Sequence, residues 1–153
     1  MKQRLNYSQI SPVALKAMLE LEKYVHGSEL DRSLYELVKT RASQINGCAY
    51  CLDMHTKDAR KAGETEQRLY ALSAWRETPF YTDRERVALA WTEALTLISE
   101  NDVSDELYEN VSNHFSEEER VALTMAIIAI NGWNRLAISF RTVPGSYEPS
   151  LKD

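Results

Sequence analysis

Two cysteines, five glycines and four prolines are all that this 153-residue chain holds of the residues that staple or break a backbone. The scarcity excludes a secreted disulfide scaffold, which needs more cysteines spread along the chain. It also excludes collagen-like and low-complexity segments. There is no cluster of lysine and arginine, and the net charge is -5. Such a chain is a poor match to a nucleic-acid backbone and has no basic amphipathic face for anionic lipid. The most apolar stretch, Val121 to Ile130, is too short to cross a bilayer. No apolar signal segment follows Met1 to Ser8, so the cytoplasm is the expected compartment. Strand alternation is nearly absent as well.

What is present is helix punctuation. Hydrophobic residues make up 44% and charged residues 27%, enough for a core in one domain spanning residues 1–153. Ser11 and Pro12 read as an N-cap and first helical residue, followed by Leu15, Met18, Leu19, Glu22 and Val25 at helical spacing. Ser28 is the expected cap of a second helix, with Leu30, Leu34, Leu37, Val38, Arg41 and Ile45 on one face, stopped by Asn46-Gly47. A third helix is expected from Cys48 to about Gly63 and a short one from Glu66 to Trp75. Thr82 with Glu85, and Ser116 with Glu119, are capping boxes that open two longer helices, with a short segment capped by Ser104 between them. The tail from residue 143, with Pro144, Gly145 and Pro149, reads as irregular. The expectation is an all-α bundle of six or seven helices. No charge interrupts the stretch between Arg120 and Arg135, and a helix apolar all round is expected to be buried all round. Any apolar surface left over would point to subunit contacts.

The two cysteines sit three residues apart. On a helix, Cys48, Cys51, Leu52, His55, Ala59 and Ala62 form one stripe, with Asp53, Lys57, Arg60 and Lys61 opposite. Cys51 and His55 are i,i+4 neighbours. Cys48 and Cys51 are close enough for a disulfide if the first turn adjusts. A helix N-terminus at Cys48 favours a thiolate, the reactive form of the side chain. An imidazole can take or return its proton, and a second thiol can resolve a sulfenic acid into a disulfide. The same residues allow two other readings. Cys48, Cys51 and His55 with an acidic fourth ligand could hold zinc, or the two thiols could be buried and inert. His26 and His114 fall at expected helix C-termini and read as structural or surface residues.

The pattern resembles a known family. Glu36, eleven residues, Cys48-Ala-Tyr-Cys51, three residues and His55 is similar to the signature of the alkylhydroperoxidase D-like (AhpD-like) proteins of the carboxymuconolactone decarboxylase superfamily. The likeness continues through Arg68 to Leu72, Trp75-Arg76, Glu85-Arg86, Ala90 to Leu95 and Asn131 to Arg135, and covers about residues 12–142. It implies an all-helical bundle assembled into homo-oligomers, trimers or hexamers. It also implies hydroperoxide reduction in antioxidant defence with no tightly bound cofactor, sustained by a lipoamide-like dithiol or a disulfide reductase. Carried over, Cys51 is the thiol that attacks and Cys48 the more exposed, resolving thiol, with His55 and Glu36 as the proton relay. Tyr50 stands where full-length members have a histidine, which removes a second imidazole from that relay. Lactone decarboxylation, as in other branches, and a non-enzymatic redox sensor are the competing functions. Glu36 is the least legible of the four residues. It shares a polar side of its helix with Ser33, Thr40 and Ser43, and by itself reads as solvated surface.

Overall fold

A computed structural model describes residues 2–149. Among them it contains α1 (Tyr7–Ile10), α2 (Pro12–His26), α3 (Arg32–Asn46), α4 (Ala49–Lys61), α5 (Glu66–Ala71), α6 (Asp83–Thr96), α7 (Asp105–His114) and α8 (Glu117–Phe140). A 3₁₀ helix over Leu72–Glu77 follows α5 directly, and the described residues contain no strand. The all-α reading holds, with the four-residue α1 added. Both capping boxes form, with Thr82 and Ser116 each accepting from the backbone N–H of the glutamate three residues on. Ser28 does not cap α3. Its hydroxyl donates to the Val25 carbonyl instead, and the Asp31 carboxylate accepts the Leu34 N–H. The described part of the tail, 143–149, is free of helix, and 150–153 lie outside the described residues.

The helix at the centre is not the one that hydropathy pointed to. α3 packs against α4, α6, α8 and the 3₁₀ helix, and every residue from Leu34 to Thr40 is buried. α8 buries Leu123, Ala126, Ile127 and Ile130 against this centre but leaves Val121 and Ile128 about half exposed, at 54% and 51%. With 24 residues it is long and apolar enough to cross a membrane, longer than its most apolar stretch suggests. Its first turn carries three glutamates, and its inner face is a core face. The apolar set on α8 therefore exceeds what one chain covers.

The link between α3 and α4 positions the thiols. α3 ends at Gly47, whose φ of 68° lies in the left-handed region that side chains disfavour. Its turn sends the Cys48 N–H back to the Ser43 carbonyl at 3.0 Å, closing the end of α3. Cys48 thereby becomes the N-cap of α4. An added Cβ at Gly47 would touch nothing, so only backbone strain opposes substitution. Gly47→Ala is expected to lower stability by about 1 kcal/mol, read as a shift in the urea midpoint without a change in slope.

Candidate active site

Cys48 Sγ accepts the Cys51 N–H at 3.3 Å, and the two sulfurs are bonded to each other. Both cysteines are buried, at 1% and 2% exposure. The expectation that Cys48 is the more exposed is therefore corrected. The N-cap position folds its side chain over the first turn of α4, into a buried cluster with Ala42, Cys51, Ile130 and Ala137. His55 and Ala59 continue the buried stripe along α4, whereas Ala62 is exposed.

Glu36 is buried, which overturns its reading as solvated surface. The polar side of α3 faces α4, and Glu36 Oε2 lies 2.9 Å from His55 Nδ1. An ionised carboxylate at this place would accept the bond, with Nδ1 as its donor. Nε2 is buried and, among the described residues, has no hydrogen-bond partner. An imidazole held by a carboxylate on one nitrogen and open on the other is built to move a proton.

These groups border a cavity of ≈ 720 Å³ whose lining includes Cys51, His55, Glu36, Met54 and Trp133. Cys48 is not among the lining residues. Of the two cysteines, Cys51 is the one that lines this cavity. The chain belongs to the carboxymuconolactone decarboxylase family. That family's model matches residues 12–94. The chain is 50% identical over 139 residues to the uncharacterized protein YdfG of Bacillus subtilis, covering 91% of this chain and 95% of YdfG. Its structure is similar to that of ATU0492 from Agrobacterium tumefaciens, a protein of unknown function linked to antioxidant defence as an AhpD. The TM-score is 0.92 at 47% identity, over 95% of this chain and all (100%) of the other. An uncharacterized peroxidase-related protein from Ralstonia eutropha with an alkylhydroperoxidase AhpD core shares the fold, with a TM-score of 0.80 at 17% identity over 91% and 74% of the two chains. The AhpD-like bundle of this family member is thus the frame that holds the CxxC pair.

Several polar residues around the cavity escaped the sequence reading. Lys39, one turn after Glu36, is 1% exposed. Its ammonium donates to both oxygens of Glu22 at 2.5 and 2.6 Å and also to the Tyr35 hydroxyl. Glu22 further accepts from Tyr35 at 2.6 Å and from Trp133 Nε1 at 2.6 Å. Burial works to raise the Glu22 carboxyl, but the Lys39 ammonium and these donors outweigh it and leave the group below its ordinary value. On α4, Asp58 comes within 4.8 Å of Glu36 and His55, ligand atom to ligand atom. Burial raises its carboxyl above the ordinary value and the Glu36 charge adds to this, against the Tyr147 hydrogen bond.

This trio is the set of donors, among the described residues, placed to share a cation. It is a different set from the zinc ligands considered above, because sulfurs bonded to each other are not thiolate ligands. His26 lies at the cavity's exposed edge, its ring 4.9 Å from that of Tyr35. His114 is occupied by the Asn110 carbonyl. The Asn134 amide ties α8 to Ser43 and Asn46 at the end of α3. Glu93 binds Arg41, Arg76 and Trp75 away from the thiols and holds α6 to its neighbours.

Proposed function

We propose that the chain is a thiol-dependent hydroperoxide reductase in antioxidant defence. The observation that carries this reading is Cys51 at the cavity wall, bonded to Cys48 and followed one turn later by a carboxylate-held imidazole. In the reduced protein, His55 Nε2 accepts the Cys51 proton. The thiolate attacks the distal peroxide oxygen, the O–O bond breaks, and the alkoxide takes the proton back to leave as an alcohol. Cys51 is then a sulfenic acid. The Cys48 thiol attacks it, water leaves, and the disulfide of this structure results. An external dithiol of the lipoamide class supplies two electrons and two protons to return both thiols and is itself oxidised to a disulfide, so no resident cofactor enters the cycle. A reducing compartment such as the cytoplasm suits that supply.

The roles of the two sulfurs follow from their places. A thiol at a helix N-cap, with an N–H aimed at it, is the better leaving group, because its thiolate is stabilised. An incoming dithiol that reaches Cys51 through the cavity would therefore expel Cys48. The half-exposed Val121 and Ile128 support a homo-oligomer, a trimer or hexamer, in which the outer face of α8 is covered.

With cumene hydroperoxide and dihydrolipoamide, the purified protein is expected to turn over many equivalents. With hydroperoxide alone it should consume one equivalent and end as the Cys48–Cys51 disulfide. The check is peroxide titration combined with mass analysis after thiol alkylation. Reduced protein that leaves the hydroperoxide untouched would end this reading. One tightly held zinc per chain, by elemental analysis, would replace it.

A further inference from the structure

The tail after α8 returns to the outer side of α4 and is fastened there at four points, one of them the Pro149 carbonyl, which accepts from Lys61 at 3.3 Å. Asp53 accepts the Gly145 N–H at 2.9 Å, and Lys57 donates to the Tyr147 carbonyl at 2.9 Å. The Tyr147 hydroxyl lies 2.8 and 2.9 Å from the two oxygens of Asp58. Asp58 and Tyr147 both line the cavity that holds Cys51 and His55. Asp58 is one turn beyond His55, and the ligand atoms of Glu36, His55 and Asp58 all lie within 4.8 Å of one another. Two carboxylates thus flank one imidazole, and the second is held by a hydroxyl that the tail delivers from 89 residues away.

We propose that Asp58, held by Tyr147, is a positioning residue of the proton relay, the counter-charge that stabilises His55 while it carries the Cys51 proton. The inference rests on the peroxidase reading above and extends it to a residue outside the Glu36–His55 pair. The balance is simple. The proton leaves the Cys51 sulfur, resides on His55 and returns to the alkoxide, so no proton is gained or lost in the step. While it resides on the ring, the cation is flanked by the Glu36 and Asp58 carboxylates. An opposite charge at this range favours the charged ring, and so the thiolate that gave up the proton. Tyr147 donates to the ionised form of Asp58 and keeps it available for that role. The other groups facing Asp58 are Arg32, Tyr35 and Lys39 on α3, and the two cations favour its ionised form as well. Asp58 is about ten ångströms along the axis from Cys51, two helical turns by rise. Its direct repulsion of the thiolate is therefore weaker than its attraction for the nearer imidazolium.

The test needs no peroxide. In a Cys48→Ser background, Cys51 is the sole thiol, and its rate of alkylation by iodoacetamide against pH reports its thiolate. Adding Asp58→Asn is expected to move that profile to higher pH by about one unit, and adding Tyr147→Phe to move it the same way by less. Asp53→Ala removes the acceptor of the Gly145 N–H and so releases that anchor of the tail but leaves the Asp58 charge, and its profile should stay with the parent. A profile in Asp58→Asn that keeps its midpoint and only loses amplitude would overturn the proposal. So would an equal shift in Asp53→Ala, because tail position and not the Asp58 charge would then be responsible. If Asp58→Asn fails to fold, the Tyr147→Phe shift decides alone. Should the shift appear while the wild-type protein reduces no hydroperoxide, the Asp58–His55 coupling stands and the peroxidase reading falls.

Discussion

Cys51→Ser is expected to lower hydroperoxide reduction by a factor on the order of 10⁴, leaving no measurable burst. In the proposed cycle the attacking group is a thiolate, and a hydroxyl at the same place does not ionise near neutral pH. His55 can accept a proton but cannot make serine a nucleophile strong enough to split a peroxide bond within the same geometry. Cys48→Ser should behave differently. Cys51 keeps its place on the cavity wall and its imidazole, so the first equivalent of hydroperoxide is still consumed at a rate near that of the wild type. Without the resolving thiol the reaction stops there, with Cys51 one oxygen heavier. Rapid mixing of each reduced variant with one equivalent of cumene hydroperoxide, followed by intact mass, separates the two outcomes. A burst in Cys51→Ser together with none in Cys48→Ser would exchange the roles assigned to the sulfurs. A burst in both would place the chemistry elsewhere.

The residues legible in the sequence are those whose relation is set by one helix. Cys48, Cys51 and His55 lie at spacings of three and four, and any helix begun at Cys48 brings them to one side. Glu36 lies on a different helix, and its meaning depends on which side of α3 meets α4. Periodicity shows that α3 has a polar side; it does not show that this side is covered. The covering comes from Gly47, which folds α4 back along α3. Asp58 with Tyr147, and Glu22 with Lys39, are separated by 89 and 17 residues, beyond what a local pattern registers. A trace of the second pair was present, since Glu22 falls within the apolar stripe of α2. A carboxylate at such a place needs a buried partner, and Lys39 is that partner. Ranking helices by hydropathy favoured α8 as the centre for the same reason that it missed α3. An interior helix that serves a site is polar where the site is, and its burial comes from its neighbours and not from its composition.

The largest loss of stability is expected from Lys39→Met, about 3–5 kcal/mol at neutral pH. The substitution keeps much of the side chain's length and apolar stem, so little of the cost comes from packing. It removes the cation that offsets the partial burial of Glu22 and leaves the carboxylate, among the described residues, with Tyr35 and Trp133 as its hydrogen-bond donors. The pH dependence identifies the origin. In the wild type, the Glu22 carboxyl is held below its unfolded value. Its contribution is therefore complete above the ordinary carboxylate range and is lost as pH falls through the depressed folded value. In Lys39→Met, burial raises the Glu22 carboxyl in the folded chain, so acidification protonates it there first and relieves the penalty. The gap between wild type and variant should then narrow from neutral pH to about pH 4, near the ordinary carboxyl value. A double variant, Glu22→Leu with Lys39→Met, should recover a large part of the loss, because a buried pair replaced by apolar groups costs far less than a pair broken. Urea unfolding of the four proteins at both pH values measures all of this. A penalty that stays constant with pH and is not relieved in the double variant would show that Lys39 stabilises the fold by packing alone.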